Sequence, residues 1–245
     1  MKISILTLFP EYFSGVFTAS ILKRAKEQAD VEYQVINIRD FATDIHSTTD
    51  DRPYGGGAGM VLKIEPIFKA LRSLELLDEG SIADLEIGSN DHATISDLQQ
   101  NLRRKDDQSL VLLTSAKGHV FSQQTAREYA QYKHVVLICG HYEGVDERVA
   151  QHLIDAEISI GEYVLTGGEP AAAVIVDALV RLQPGVLGNS TSLEGESHDK
   201  PGTLGYPQYT RPEEFLGMRV PDTLLSGNHA HIERWREENR QKRNS

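Results

Sequence analysis

Three apolar segments in the middle of the chain constrain its fold more than any other feature. SLVLLT (109–114), HVVLICG (134–140) and AEISIG (156–161) are short and apolar, and helical stretches at about 121–131 and 143–153 separate them. Strands that alternate with helices indicate an α/β fold. We therefore expect a mainly parallel sheet with helices packed against it.

Each of these strands is followed by glycine and polar residues, in the stretches SAKG (115–118), GHYEGVDE (140–147) and GEYVLTGGE (161–169). In open α/β sheets, ligands bind where the loops at the carboxyl ends of the strands meet. The sequence therefore predicts a binding site at this edge of the sheet, without identifying its ligand.

The N-terminal part also reads as α/β. KISILTL (2–8) and VEYQVINI (31–38) have strand character, and a helical pattern runs from Pro10 to about Gln28. A polar loop with four glycines follows at 44–60. The next helix is predicted at 65–77, because its leucines and isoleucine share one face.

The charge of the chain is uneven. The net charge of −11 argues at first against a nucleic-acid partner, but eight acidic and only three basic residues fall within 78–107. This weakly periodic segment is expected to be an exposed excursion. The tail from Arg234 onward has five basic and two acidic residues. Global charge therefore does not exclude nucleic acid.

Composition narrows the class of protein further. Cys139 is the only cysteine, which excludes an internal disulfide and suits a reducing cytoplasm. It lies in an apolar run, so an inert buried thiol is expected. No Cys/His set has zinc-site spacing, and no apolar run reaches the ~20 residues that span a bilayer. The N-terminus reads as a strand rather than a signal peptide.

The composition of the chain changes after Leu182, where glycine and proline become frequent and no periodic apolar face is evident. This stretch reads as a linker, followed by a helix from about Asn228 to Arg243 that carries Trp235. The predicted domain bounds are 1–187, 188–203 for a flexible linker, and 204–245.

Phosphate-binding motifs are missing from the strand ends. Neither GxGxxG nor GxxxxGK[ST] follows these strands, and the run GGGAG (55–59) follows a polar loop instead. A flexible turn and a weak phosphate site both remain open for that run.

Acidic residues follow the second and third strands and predict an acidic rim around the site: Glu143, Asp146, Glu162 and Glu169. Such a rim repels a polyphosphate and favours a ligand with cationic groups. S-adenosylmethionine, with its sulfonium and ammonium, fits this description. Carboxylates at helix N-termini are the structural alternative, and Lys117 and Arg148 can neutralise part of the rim.

Seven motifs then occur in an order and spacing that resemble a known family: ILTLFPEYF, DDRPYGGGAGM, ICGHYEGVDERV, SIGEYVLTGGEPAA, PGVLGN, YPQYTRP and VPDTLLSGNH. Nearly end to end, the chain resembles a bacterial tRNA (guanine-N1)-methyltransferase of the TrmD family, within the SPOUT class. The resemblance implies an α/β sheet with a deep trefoil knot at its C-terminal end and a small all-α C-terminal domain that binds tRNA.

The resemblance also implies that S-adenosylmethionine binds in the knot and that the protein acts as a cytoplasmic homodimer, with each site shared between subunits. Its substrate would be a tRNA anticodon stem-loop with guanine at positions 36 and 37. A role for Mg²⁺ is not assignable. The implied methyl-donor residues are Leu113, Thr114, Ser115, Ala116, Gly118, Gly140, Tyr142, Glu143, Ile160, Gly161, Tyr163, Leu165, Gly167 and Gly168.

The chemistry of guanine dictates two more groups. N1 must lose a proton to a base while negative charge builds on O6, so a carboxylate and a cationic donor are required. The family motif places the donor at Arg181, for which pairing with Asp177 is the structural alternative. The family's linker aspartate corresponds to Glu196, with Glu194 and Asp199 as nearby alternatives and His198 as a group that can titrate near neutrality.

Other positions are expected to contact tRNA or depart from the family pattern. Ala116 stands where the family usually has proline. Arg211 and the basic tail resemble phosphate contacts, and four residues of the N-terminal loop are expected to face the tRNA: Asp50, Asp51, Arg52 and Tyr54. A ribosomal-RNA SPOUT enzyme, a non-catalytic RNA-binding protein and a nucleotide enzyme are the competing interpretations.

Overall fold

The fold is built on a parallel sheet in a computed structural model that describes residues 1–76, 107–188, 195–200 and 202–240. In chain order its strands are β1 (Lys2–Thr7), β2 (Glu32–Asn37), β3 (Asp50–Asp51), β4 (Val61–Leu62), β5 (Ser109–Val120), β6 (His134–Cys139), β7 (Ala156–Ser159), β8 (Glu214–Phe215) and β9 (Met218–Arg219). Its α-helices are α1 (Ser20–Gln28), α2 (Ile64–Arg72), α3 (Gln123–Tyr129), α4 (Glu147–His152), α5 (Glu169–Val180), α6 (Asp222–Leu225) and α7 (His229–Glu238).

The central sheet has the strand order β2-β1-β6-β5-β7, and each neighbouring pair is parallel. This confirms the prediction of an α/β fold with a mainly parallel sheet. Parallel strands need helical crossovers, which cover the sheet faces and bury the strands on both sides.

Burial along β5 and β6 shows why these segments read as continuous apolar runs. Leu110 and Leu112 belong to one buried cluster, with residues of α1, α3 and α5. Val111 and Leu113 belong to a second cluster, with residues of α2 and α4. Since successive side chains of a strand point to opposite faces, both faces of this sheet are core.

The helical pattern predicted from Pro10 to Gln28 is wrong in its first half. Two 3₁₀ turns, Pro10–Phe13 and Val16–Thr18, precede α1, and Ala19 between them and the helix is extended, with φ −120° and ψ 152°. The helix predicted at 65–77 is also shorter, because α2 ends at Arg72 and Glu75 has φ 56°.

Contacts divide the chain into two units, Met1–Leu187 and Gly188–Ser245. The second unit contains α6 and α7, and the Asn228 side chain caps α7 by accepting the His231 N–H at 3.2 Å. It also contains the β8–β9 hairpin, which corrects the all-α prediction. Both turn residues, Leu216 and Gly217, have positive φ, as a tight type I′ hairpin requires.

Two predictions fall outside the described residues, namely Glu194 and the acidic segment at 78–107, of which only Asp107 is described. The C-terminal helix predicted to reach Arg243 is shorter, because α7 ends at Glu238 and Asn239 follows as its C-cap. Among the helices that the structure does describe, none is long and apolar enough to cross a membrane.

Candidate functional site

A cleft of about 300 Å³ opens at the carboxyl ends of β6 and β7 and beside residues 113–117 in the interior of β5. Small-molecule pockets typically measure about 300–1,000 Å³, so the cleft is large enough for such a ligand. This part of β5 and the segments after β6 and β7 contribute to its walls. The predicted binding residues that line it are Leu113, Thr114, Ser115, Ala116, Gly140, Tyr142, Glu143, Ile160, Gly161, Tyr163, Leu165, Gly167 and Gly168.

The first wall is a bulge inside β5 and not the terminal loop predicted for 115–118. Thr114 and His119 both pair with Ile158 of β7, so the intervening residues leave the ladder. The strand then continues to Val120, because pairing with β7 resumes after the bulge. Bulges of this kind redirect side chains next to functional sites.

Gly118 is the one predicted binding residue that does not line the cleft. A Cβ atom there would lie 2.5 Å from the carbonyl carbon of Glu157, 2.6 Å from that of Ile158, and against the Ile158 backbone nitrogen. The absence of a side chain at 118 therefore lets the bulge rejoin β7. Its role in this structure is to shape the first wall.

Backbone hydrogen bonds hold the three strand ends together. The Gly168 N–H donates to the Gly140 carbonyl at 2.8 Å. The Thr114 hydroxyl donates to the Ile138 carbonyl at 3.2 Å and accepts the Gly140 N–H at 3.3 Å. The cleft is therefore a preformed feature of the sheet edge.

The third wall is the turn after β7. The Ser159 hydroxyl donates to the Gly161 carbonyl at 2.9 Å, and the Tyr163 hydroxyl donates to the Ile160 carbonyl at 3.3 Å. Tyr142, Tyr163 and Leu165 are 41%, 54% and 41% exposed although they are large and mostly apolar. Apolar side chains left exposed around a concave site are typical of ligand-binding pockets.

The predicted rim of four acids is wrong in composition. Glu169 is only 4% exposed and lies at the N-terminus of α5, where its carboxylate accepts the Thr7 hydroxyl at 2.7 Å. Glu162 does not line the cleft. Of the four, Glu143 alone lines the cleft.

Asp146 is neutralised by its neighbour. Its carboxylate accepts the Arg148 backbone N–H at 3.0 Å, which caps α4, and pairs with the Arg148 guanidinium at 2.6 Å. The side-chain hydrogen bonds from Arg148 lower the pKa of Asp146 below its usual value. Lys117 similarly lies 3.5 Å from Glu147. The alternative that Arg148 and Lys117 neutralise neighbouring acids is therefore confirmed for these two pairs.

Three titratable residues that line the cleft were not predicted from sequence: His141, Glu147 and Glu157. His141 lies in the third of the seven motifs, ICGHYEGVDERV, next to predicted binding residues, so its position was a usable signal. Glu157 is a half-buried acid in the short strand β7, where apolar residues are the rule. With Glu143 and Glu147 it gives the cleft three carboxylates.

Cys139 is fully buried, as its apolar surroundings predicted. Burial raises the pKa of its thiol well above the usual value, and the Glu169 carboxylate raises it further. A thiol that stays protonated is a poor nucleophile, which agrees with a structural role.

The two predicted catalytic residues lie in different units. Arg181 follows α5 as its C-cap, is half-buried, and its backbone N–H donates to the Asp177 carbonyl at 3.1 Å. Glu196 lies in a turn where its carbonyl accepts the Asp199 N–H at 3.2 Å. His198 in this turn has φ 65° and is exposed.

The predicted RNA-facing residues are mostly exposed. Tyr54 is fully exposed at the tip of the N-terminal loop, and Asp51, Arg52 and Arg211 are exposed as well. Asp50 is half-buried, because it pairs with Leu62 in the β3–β4 ladder. Among the described residues, no group of three or more His, Cys, Asp or Glu side chains could hold a metal ion.

The fold and the cleft define an α/β protein with a ligand-sized site formed by three interlocking strand ends. The chain belongs to the tRNA (guanine-1)-methyltransferase TrmD family, whose family model matches residues 1–245.

Curated relatives named tRNA (guanine-N(1)-)-methyltransferase are similar over most of the chain. The protein of Anoxybacillus flavithermus is 49% identical over 237 residues, which cover 97% of this chain and 85% of the relative. That of Dictyoglomus turgidum is 52% identical over 236 residues, covering 96% and 83%. That of Staphylococcus haemolyticus is 48% identical over 238 residues, covering 97% and 85%.

Proposed function

We propose that this protein transfers the methyl group of S-adenosyl-L-methionine to N1 of guanine 37 in the anticodon loop of tRNA. Membership of the family supports the reaction, because the relatives are named for it. The observation that carries the proposal is the cleft itself, where the predicted methyl-donor residues of three separate segments meet.

The lining of the cleft fits S-adenosylmethionine better than a nucleoside polyphosphate. Glu143 and Glu157 supply carboxylates for a ligand with cationic groups, and the single lysine of the lining, Lys117, is paired with Glu147. Gly140 and Gly161 line the cleft with backbone atoms. When bound, S-adenosylmethionine supplies an electrophilic methyl group.

We further propose that the three strand ends belong to a deep trefoil knot and that 1–187 is the donor-binding domain. The close passage of the bulge against β7 at Gly118 supports this, as does the Gly168–Gly140 hydrogen bond between separate loops. Residues 188–203 would connect it to a tRNA-binding domain at 204–245.

The chain's own residues must make guanine N1 nucleophilic. Glu196 would accept the N1 proton, and Arg181 would donate hydrogen bonds to O6 as negative charge builds there. A glutamate is longer than the family's aspartate by one methylene and still accepts a proton. Asp199 lies three residues away in the same turn and is the described alternative.

The RNA partner would be the anticodon stem-loop with guanine at 36 and 37, bound to a homodimer in the cytoplasm. The exposed Arg52 and Arg211 are suited to phosphate contacts, which position RNA without reading its sequence. Tyr54 offers an exposed aromatic face on which a base can stack.

Methyl transfer from labelled donor to two transcripts, with guanine or adenine at position 37, tests the function. We expect label only in the guanine transcript. Equal labelling of both would refute the specificity, and labelling of neither would favour a non-catalytic RNA-binding protein.

The base is tested with Glu196→Gln, which keeps the side-chain length and removes the proton acceptor. Loss of a general base typically costs 10²–10⁴-fold in rate, so we expect at least about a 100-fold fall in single-turnover rate. Asp199→Asn is the matched control and should retain most activity. The reverse pattern would move the base to Asp199.

A further inference from the structure

A buried carboxylate lies directly behind the cleft. Glu169 is 4% exposed, and its Oε1 accepts the hydroxyl of Thr7, a fully buried residue of β1, at 2.7 Å. The Thr7 oxygen in turn accepts the Phe9 backbone N–H at 2.9 Å. Because the Thr7 oxygen accepts the Phe9 N–H, its own hydroxyl proton points toward Glu169. The two hydrogen bonds together hold the carboxylate in one orientation.

The second oxygen of Glu169 faces an imidazole nitrogen. The position that a Cβ would take at Gly167 lies 2.5 Å from Glu169 Oε2 and 2.6 Å from His141 Nδ1, so both atoms border the same small space. His141 Nδ1 is buried and has no hydrogen-bond partner among the described residues. Buried polar atoms are nearly always bonded, so an orphan of this kind requires an explanation.

The imidazole is held by its neighbours on other sides. Its ring lies 4.9 Å from the Phe9 ring and 4.7 Å, edge to face, from the Tyr142 ring. The His141 backbone forms a bridge to Gly167. The ring also lines the cleft. Since the two nitrogens of an imidazole point in different directions, Nε2 points away from the space that Nδ1 shares with Glu169.

We propose that Glu169 is a positioning residue that holds the His141 proton on Nδ1, so that Nε2 presents a hydrogen-bond acceptor to the cleft ligand. The Nδ1–H would reach Oε2 across the space beside Gly167 through one buried water. Glu169 is the first residue of the twelve-residue helix α5, which fixes the position of its backbone.

The acceptor on Nε2 would take a hydrogen bond from an amino or hydroxyl group of the ligand. This assignment rests on the proposed function, since S-adenosylmethionine carries both kinds of donor. The neighbouring Cys139 thiol does not serve as the hydrogen-bond acceptor instead, because burial raises its pKa and keeps it protonated.

The first test needs no ligand. Long-range ¹H–¹⁵N NMR of histidine-labelled protein reports which nitrogen of His141 carries the proton. We expect Nδ1–H in the wild type and a shift toward Nε2–H in Glu169→Gln, because an amide can donate to Nδ1. An Nε2–H tautomer in the wild type would overturn the proposal, whether or not the enzyme methylates tRNA.

The second test is calorimetric binding of S-adenosylhomocysteine. One ligand hydrogen bond is worth about 0.5–1.5 kcal/mol, so Glu169→Gln and His141→Ala should bind about 3- to 10-fold more weakly. Glu162→Gln, an exposed acid outside the cleft, should bind as the wild type does. If the wild type does not bind, the proposed function fails. If the wild type binds S-adenosylhomocysteine and Glu169→Gln binds it with the same affinity, the positioning role of Glu169 fails.

A milder pair of variants guards against misfolding of Glu169→Gln. Thr7→Val keeps the shape of the buried side chain but removes the hydroxyl, and Thr7→Ser keeps the hydroxyl. We expect Thr7→Val to weaken binding and mix the tautomers of His141, and Thr7→Ser to restore both. Equal behaviour of the two variants would show that the hydroxyl does not orient Glu169.

Discussion

Glycine is frequent in two parts of the first unit, the loop at 55–59 and the turns around the cleft, and the backbone around it differs between them. In the loop, Gly55 has φ +85° and no atom lies within 4 Å of its Cβ position. Around the cleft, Gly118 and Gly168 lie outside the left-handed region, but their Cβ positions overlap other backbone atoms, and at Gly168 also the Thr114 hydroxyl.

The difference shows that one residue type meets two separate demands. The loop needs a left-handed conformation that L-residues adopt at a cost, whereas the cleft needs strand ends to touch. Composition cannot distinguish these cases, which is why GGGAG and TGGE look alike in sequence. Substitutions can distinguish the two cases, because the same added methyl group lowers stability through backbone strain in one and through steric overlap in the other.

Gly118→Ala should have the largest effect. Its methyl group would meet the backbone of Glu157 and Ile158, which cannot rotate away as a side chain can. Overpacking costs about 1–3 kcal/mol and occasionally more, and we expect about 3 kcal/mol here. Urea unfolding measures the free energy of unfolding, and S-adenosylhomocysteine binding should be lost with it. A loss below 1 kcal/mol would mean that the bulge is free to move off β7.

Gly168→Ala should cost somewhat less, about 2 kcal/mol, since part of the overlap involves a side chain. The added methyl group would meet the Thr114 hydroxyl, and it would lie 2.8 Å from the Gly140 nitrogen and 2.9 Å from Cys139 Cα. The double variant Thr114→Ala/Gly168→Ala removes the hydroxyl but not the backbone contacts.

Urea unfolding of both single variants and the double variant isolates the coupling between the two sites. We expect the double variant to be more stable than the sum of its parts by about 1 kcal/mol. Strict additivity would indicate that backbone contacts alone exclude a side chain at 168.

Much of the sheet and the location of the cleft could be predicted from sequence. Apolar runs such as 134–140 identified the buried strands, and their glycine-rich ends identified the edge where a ligand binds. The bulge in β5 could not be predicted, because pairing of Thr114 and His119 with the same residue depends on β7, a distant segment. A register shift of this kind leaves no periodic trace in the strand itself.

The sequence suggested that Arg148 neutralises a rim acid, but it did not predict the environment of Glu169. Glu169 and Asp146 looked like rim acids, yet one is buried against Thr7 and the other pairs with Arg148. The partner of Glu169 is 162 residues away in the chain. Only the packing of α5 against β1 brings Thr7 and Glu169 together, so no sequence motif could have paired these two residues.

Gly55→Ala should have a moderate effect that arises from conformation alone. Holding an L-residue in the left-handed region costs about 1–2 kcal/mol, and no steric term adds to it here. Gly55→Asn should recover part of that loss, because asparagine tolerates this region. Gly118→Asn should instead be at least as harmful as Gly118→Ala. Urea unfolding of the four variants gives the comparison, and equal costs for alanine and asparagine at 55 would contradict the strain argument.

Gly15→Ala should have the smallest effect and the opposite sign. Gly15 has φ −81° and ψ −33°, which any L-residue adopts, and no atom lies within 4 Å of its Cβ position. Neither strain nor overlap therefore opposes the methyl group, while alanine restricts the unfolded chain. Such substitutions stabilise by about 0.4–1 kcal/mol, so the urea midpoint should rise slightly. If Gly15→Ala is instead destabilised, glycine is required there for a reason other than its φ or the space around its Cβ position. Backbone strain and steric overlap would then not account for all the glycine positions.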